Sequence, residues 1–292
     1  MKLVVCALFC NLVAALVGVD LSVNVAFNEW DAIEETLADT ISSVTVHAVF
    51  YNSTLNPNTV PILLSAYQRG ITDLNLYVYP CIEDSSYSRT NSYVSCPSAE
   101  KQLETIVKHM KNFNIDVGAT DDAPSAAHPS GYTPISFNNT APNNIFISKI
   151  FVNIEDRVPN YYFSTDHSKN INFLVEYVNA AVANGISIGI YTTKADWLSI
   201  MPDLLPGILK VYRYKIGPSY TAINPFKDLP LWMPRYDGLS NNEFFGPFAE
   251  WTNVYMKQMT GGSAQARRIG SDRICNDYLP QRNDTILEYV VL

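Results

Sequence analysis

Three acidic residues each close a short apolar run: Asp20 after GV, Glu155 after FVNI and Asp277 after CN. Aromatic residues hold the same kind of position, with Tyr79 after LYV, Tyr191 after IGI, and Trp232 and Tyr236 within LWMPRY. If these runs are β-strands gathered side by side, their ends bring three carboxyls and a set of flat rings to one mouth. Glycosidic cleavage needs that inventory. A carboxylic acid protonates the leaving oxygen, an anion stabilises oxocarbenium-like charge, and apolar faces hold sugar rings. Singly, each acid reads as a solvated or ion-paired surface group; together at strand ends they point to a polysaccharide hydrolase. Tyr77 lies two before Tyr79 and shares its face by strand alternation, so either tyrosine can be the one presented.

The elements that must position these residues alternate between strand and helix. Strands are expected at GVDLS (18–22), VTVHAVF (44–50), LNLYVYP (74–80), IFISKIFVNIE (145–155) and ISIGIYTT (186–193). Helices are expected at 30–40, at 60–70 closed by Gly70, at 98–113 capped by Ser98, and at 168–185. The last has Ser168 as its N-cap, Ile171, Leu174, Val175, Val178 and Val182 as one apolar face, and Gly185 as its stop. Beyond 193 the helices thin out, and 230–237, 252–259 and 274–279 read as strands joined by loops. Five βα units followed by strands predict an α/β fold built on a TIM-like parallel barrel with an irregular last third. A doubly wound open sheet is the alternative, but no strand is followed by Gly-x-Gly-x-x-Gly. The Pro/Ser/Asn-rich stretch 119–144 reads as a surface loop, which leaves one domain at 19–292.

Residues 1–18 have one Lys, an apolar run and a small-residue end at Gly18, the order of a secretory signal peptide. No later stretch approaches the roughly 18 apolar residues of a membrane span, so no membrane association is expected after signal cleavage. Cys6 and Cys10 leave with that segment, and Cys81 and Cys96, which flank a polar loop, are the natural disulfide pair. Cys275 is then a free thiol, expected to be structural. Sequons at Asn52, Asn138 and Asn283 are candidate glycosylation sites in a secreted protein. The net charge of −8 over 292 residues opposes nucleic-acid binding. The four His residues are scattered without metal-ligand spacing, so neither metal nor cofactor is expected. Serine-hydrolase, P-loop and zincin signatures are absent from the sequence.

The series GVDLS, FVNIED, GIYTTKADW, LPLWMPRYD, YMKQ and NDY resembles, in order and spacing, the glycoside hydrolase family 25 lysozymes over nearly the whole chain after residue 18. The form with a signal segment, an acidic pI and a cysteine-flanked third loop resembles the secreted invertebrate and amoebal branch. The resemblance implies a (β/α)5β3 barrel that cuts the β-1,4 bond between N-acetylmuramic acid and N-acetylglucosamine in peptidoglycan. Glu155 would be the general acid, and Asp20 and Asp277 the flanking carboxylates that raise its proton affinity. Tyr77, Tyr79, Tyr191, Trp232 and Tyr236 would line the sugar cleft. The protein would act as a monomer, outside the cell, in a lysosome or in a gut lumen, with cell-wall polysaccharide as its partner. An acidic optimum follows from a pI near 5.0, below which the net sign turns positive towards an anionic wall.

The chain departs from that pattern where the family's Asp-x-Glu becomes Asn153-Ile154-Glu155. Asn keeps hydrogen-bonding capacity but supplies no charge to a cationic centre. Asp156 is no substitute, because alternation turns it away from Glu155. A Trp typical of the late Trp-Gln-Tyr strand is missing as well, with Tyr255 or Met256 near its place. The second expectation is therefore a peptidoglycan-binding barrel whose chemistry is weakened or lost.

Overall fold

The computed structural model describes residues 17–21, 25, 27–37, 40–50, 54–82, 85–87, 92–118, 145–155, 163–202, 214–216, 219–221, 226–236, 245–261 and 274–278. The chain order is β1 (Val17–Leu21), α1 (Glu29–Leu37), β2 (Ile41–Val49), α2 (Thr59–Gln68), β3 (Asp73–Val78) and the hairpin β4 (Ser85–Tyr87) and β5 (Ser92–Val94). Then come α3 (Ala99–Lys111), β6 (Ile115–Val117), β7 (Ile145–Ile154), α4 (His167–Ala183), β8 (Ile188–Thr192) and α5 (Lys194–Ile200). A second hairpin, β9 (Tyr214–Ile216) and β10 (Ser219–Thr221), precedes β11 (Leu231–Pro234), β12 (Met256–Gly261) and β13 (Ile274–Tyr278).

The main sheet runs β3-β2-β1-β13-β12-β11-β8-β7-β6. Its strands are parallel except β13, which lies antiparallel to both β12 and β1. Because β3 also pairs with β7, the sheet curls round on itself. Alternation then separates two environments along each strand. Val44, Val46, Leu74, Leu76, Ile150, Val152, Ile188 and Ile190 face outwards into an aliphatic layer shared with the helices. Tyr77, Phe151, Tyr191, Trp232 and Met256 face inwards as a second cluster. Gly189 on β8 is required by that inner packing, since a Cβ there would meet the Phe151 ring at 2.3 Å.

Helix ends follow local chemistry. Ser98 caps α3, its hydroxyl accepting from the Lys101 N–H. At α4 the cap is Asp166 instead of the expected Ser168: its carboxylate accepts from the Ser168 N–H at 3.0 Å, and a charged acceptor suits the positive end of the helix. Ser164 and the Asn170 side chain exchange two further bonds that fix the entry into the helix. Val182 does not belong to the apolar face. It is 53% exposed, whereas Ile171, Leu174, Val175 and Val178 are buried. Gly185, at φ 67°, follows the α4 C-cap in the left-handed conformation. Beyond residue 193, where the helices are expected to thin out, one short helix is found, α5, whose Thr193 cap accepts from the Asp196 N–H.

Cys81 and Cys96 form a disulfide. The Gln102 side chain on α3 holds both ends of that loop, accepting from the Cys81 N–H and donating to the carbonyls of Cys81 and Pro97. Among the described residues no helix is long and apolar enough to cross a membrane. Residues 1–16, the side chain of Cys275, the stretch 119–144, Asp156 and the sequons at Asn52, Asn138 and Asn283 lie outside the described residues. Val17 and Gly18 pair with Tyr278 and Asp277 within β1, so the expected cleavage point falls inside this strand.

Candidate active site

The site is built on the inward faces of β1, β2, β3, β7, β8, β11 and β12, at their C-terminal ends. Asp20 lies on β1, directly opposite Thr45 of β2, and Thr45 lies opposite Asn75 of β3. One turn of alternation further along, His47 stands on β2 and Tyr77 and Tyr79 on or just after β3. Asn153 comes from β7, opposite Tyr191 of β8, and Glu155 follows it at the strand end. Trp232 pairs with both Tyr191 and Met256.

The floor of the site is a stack of rings meeting edge to face. Trp232 lies 4.6 Å from Tyr191, 5.3 Å from Tyr77 and 5.3 Å from Phe151, centroid to centroid. Such contacts hold rings in fixed orientations. Trp232, Tyr191 and Tyr77 are buried, while Tyr79 is half-buried and Tyr236 is 49% exposed. Of the five aromatic residues expected to line a cleft, Tyr79 and Tyr236 thus reach solvent and the other three support them. Tyr236 is tied down by Gln258, whose Oε1 accepts from the hydroxyls of both Tyr236 (3.0 Å) and Tyr191 (2.7 Å).

The polar centre is compact. The Asn153 amide, 1% exposed, donates through Nδ2 to the Tyr77 hydroxyl and, at 3.1 Å, to Glu155 Oε2. Tyr77 is in turn hydrogen-bonded to Tyr79. Asn153 Oδ1 is buried without a partner. Asp20 and Glu155 sit close enough to repel each other. Burial, and then the Glu155 charge, push the Asp20 carboxyl up to about 8. Burial also pushes the Tyr79 hydroxyl up to about 12 and those of Tyr77 and Tyr191 higher still, with the Glu155 charge adding to each. Two carboxyls in one poorly solvated site do not both ionise readily, so the pair holds a proton near neutral pH.

Two residues enter the site unannounced by the sequence. His47 packs against Tyr77 and Tyr79 at 5.4 and 5.0 Å, and its Nε2 donates to the Val49 carbonyl at 3.0 Å. Burial pushes it down to about 4, which keeps the ring neutral. Its signal is the alternation of VTVHAVF, which turns a lone His to the same face as Thr45. Gln258 is the second, legible only as the polar residue of YMKQ. The backbone of Asp277 lies opposite Gln258 on one side and Gly18 on the other; its side chain is outside the described residues. Among the described residues, no group of three or more His, Cys, Asp or Glu is gathered as a metal site.

Residues 123–208 match the family model for Lysozyme-like protein 1. A Dictyostelium discoideum protein, probable GH family 25 lysozyme 5, is 23% identical over 208 residues, which cover 71% of this chain and 67% of that one. The Caenorhabditis elegans lysozyme-like protein 5 is 24% identical over 86% of this chain and 87% of its own length. In fold, the chain is similar to the muramidase from Trichobolus zukalii at a TM-score of 0.54, with 13% identity and coverage of 92% and 96%. The chain resembles the glycoside hydrolase family 25 lysozymes in sequence and has a mixed α/β fold with the same kind of curled, mostly parallel sheet.

Proposed function

We propose that this protein is a secreted muramidase on a (β/α)5β3 barrel, cutting the β-1,4 bond between N-acetylmuramic acid and N-acetylglucosamine of peptidoglycan. The observation that carries the reading is the Asp20–Glu155 pair, two mutually repelling carboxyls at strand ends above an aromatic floor. Glu155 is the general acid that protonates the leaving glycosidic oxygen, and Asp20 and Asp277 flank it. Tyr79 and Tyr236 offer ring faces to the sugars, with Tyr77, Tyr191 and Trp232 fixing them from below. Resemblance to proteins named lysozyme and muramidase supports the substrate class.

Clearance of a peptidoglycan suspension between pH 4 and 7 tests the reading, comparing wild type with Glu155→Gln. Removing a general acid is expected to cost about 10²–10⁴ in rate. Equal clearance by the two proteins would remove Glu155 from the chemistry. Absent clearance with the wild type still sedimenting on cell walls would replace hydrolysis by binding, the reading that an uncharged Asn153 invites. A rate maximum above pH 7.5 would overturn the acidic optimum expected from the net charge.

A further inference from the structure

The two carboxyls of the site are treated unequally by their neighbours. Glu155 accepts a hydrogen bond from the Asn153 amide at 3.1 Å. Asp20 accepts none from any described residue; the groups that feel its charge are Glu155 and the tyrosines Tyr79 and Tyr191. The orientation of the amide is fixed by its partners, since only the Nδ2 side can face a carboxylate and its second hydrogen meets Tyr77, whose hydroxyl is engaged with Tyr79. An amide N–H donated to a carboxyl group favours its ionised form, and a like charge nearby then disfavours ionisation of the neighbour.

We propose that Asn153 is a positioning residue that keeps Glu155 ionised in the free protein and so parks the pair's single proton on Asp20, which hands it to Glu155 during the reaction. The proposal rests on the muramidase reading for its last step only. In that step the Asp20 O–H bond breaks as a Glu155 O–H bond forms, directly or across one water, and Asp20 becomes a carboxylate. The Glu155 O–H bond then breaks as its hydrogen joins the glycosidic oxygen, and the bond from that oxygen to the anomeric carbon breaks, leaving positive charge on the sugar. Asp20, now anionic, faces that charge; water then bonds through its oxygen to the anomeric carbon, and the O–H bond that it loses returns one proton to the pair. The arrangement supplies from β1 the negative charge that an Asp at position 153 would have supplied from β7. An Asp there would instead add a third like charge beside Glu155 and remove the donor that holds it.

The groups facing the pair bear on the same balance. His47 from β2 is neutral near physiological pH, Tyr77 and Tyr79 from β3 and Tyr191 from β8 stay protonated, and Tyr236 comes from the segment after β11. The backbone of Asp277, in β13, lies beside that of Gly18. None of the described neighbours brings a positive charge to Asp20.

Carboxyl carbon titration by NMR, on the full chain with labelled Asp and Glu side chains between pH 4 and 9, decides the matter without any need for activity. At pH 6.5 one protonated carboxyl is expected; it disappears in Asp20→Asn and is absent from the Glu155 resonance of the wild type. In Asn153→Leu, which keeps the volume and removes the donor, the Asp20 midpoint is expected to fall by about one pH unit as the proton spreads to Glu155. Asn153→Ser serves if the leucine variant does not fold. A wild-type spectrum with Glu155 protonated and Asp20 ionised at pH 6.5 overturns the proposal, as does an unchanged distribution in both Asn153 variants. Peptidoglycan clearance is read separately. A protonated Asp20 in a protein that clears nothing leaves the proton placement standing and removes the hydrolysis.

Discussion

The two faces of the curled sheet obey different rules. The outer face is aliphatic, packed under helices, and almost free of polar atoms: Ile150, Val152 and Ile154 on β7 and Leu74, Leu76 and Val78 on β3 bury hydrocarbon and nothing else. The inner face of the same strands carries Phe151, Asn153, Asn75, Tyr77 and, on β2, Thr45. Here polar atoms are sealed without partners: Thr45 Oγ1, Asn75 Oδ1, Asn153 Oδ1 and Trp232 Nε1. Each such atom costs free energy, whereas the aliphatic side chains of the outer face carry no such penalty. The outer layer thus provides the stability which the inner layer, with its unpartnered polar atoms, reduces.

That comparison breaks if neighbouring residues on one strand behave alike when mutated. Ile150→Ala on the outer face is expected to lower stability by about 2–5 kcal/mol in urea unfolding, with unchanged clearance per folded molecule. Gly189→Ala comes next, at roughly 1–3 kcal/mol, because the new methyl group meets the Phe151 ring and the inner cluster must shift. It differs from the outer mutation in kind: the displaced Phe151 pushes on Trp232, so the tryptophan emission spectrum should change in the folded state. An unaltered spectrum together with an unaltered midpoint would mean that the inner cluster is not tightly packed.

The two faces also differed in how far the sequence revealed them. The outer face was legible, because alternation of Val, Ile and Leu is its cause; the strands carrying Asp20, Tyr77, Glu155, Tyr191 and Trp232 all lie where the alternation puts them, within a few residues. The three-residue strands β4, β5, β6, β9 and β10 were not, since so few residues show no period. The helix α5 is too short to show a helical period, although Thr193 and Asp196 spell a cap, and the α4 cap falls on Asp166 instead of Ser168 because both residue types cap helices and only the backbone decides. Inside, residue types at strand ends announced the acids. The approach of Asp20 to Glu155, with four strands between theirs in one direction and two in the other, is a product of closure that no local pattern encodes. The same holds for the amide of Asn153 reaching both Tyr77 and Glu155, and for His47, a single residue whose place is set by strands on either side.

The inner face should also write its cost into the pH dependence of stability. Asp20 has a folded-state value near 8, raised above its unfolded value near 3.8 by burial and by Glu155. A raised value means a contribution that is complete below pH 3.8 and lost as the pH climbs through 8. Asp20→Asn removes that loss. The variant is expected to match wild type near pH 4 and to exceed it by roughly 1–3 kcal/mol at pH 8. Thermal melts at a series of pH values measure the gap; a gap that stays constant from pH 4 to 8 would mean that Asp20 titrates normally.

The outer layer has polar atoms of its own, and removing one is expected to have only a small effect. Tyr177 on α4 is an exception there, as is Trp197 Nε1 on α5: Tyr177 is 1% exposed with a hydroxyl that finds no partner, and burial alone pushes that hydroxyl well above the usual tyrosine range. It borders a cavity of about 120 Å³ shared with Val78, Tyr79 and Ile106. If the outer layer works by burying hydrocarbon alone, the hydroxyl only costs, and Tyr177→Phe should raise stability by about 1 kcal/mol with no change in clearance. If instead the hydroxyl is satisfied by water in the cavity, its removal strands that water and the variant loses stability. The sign of a one-residue change therefore tells whether the hydroxyl behind Tyr79 is an unpartnered polar atom borne by the outer layer or one end of a water-filled pocket.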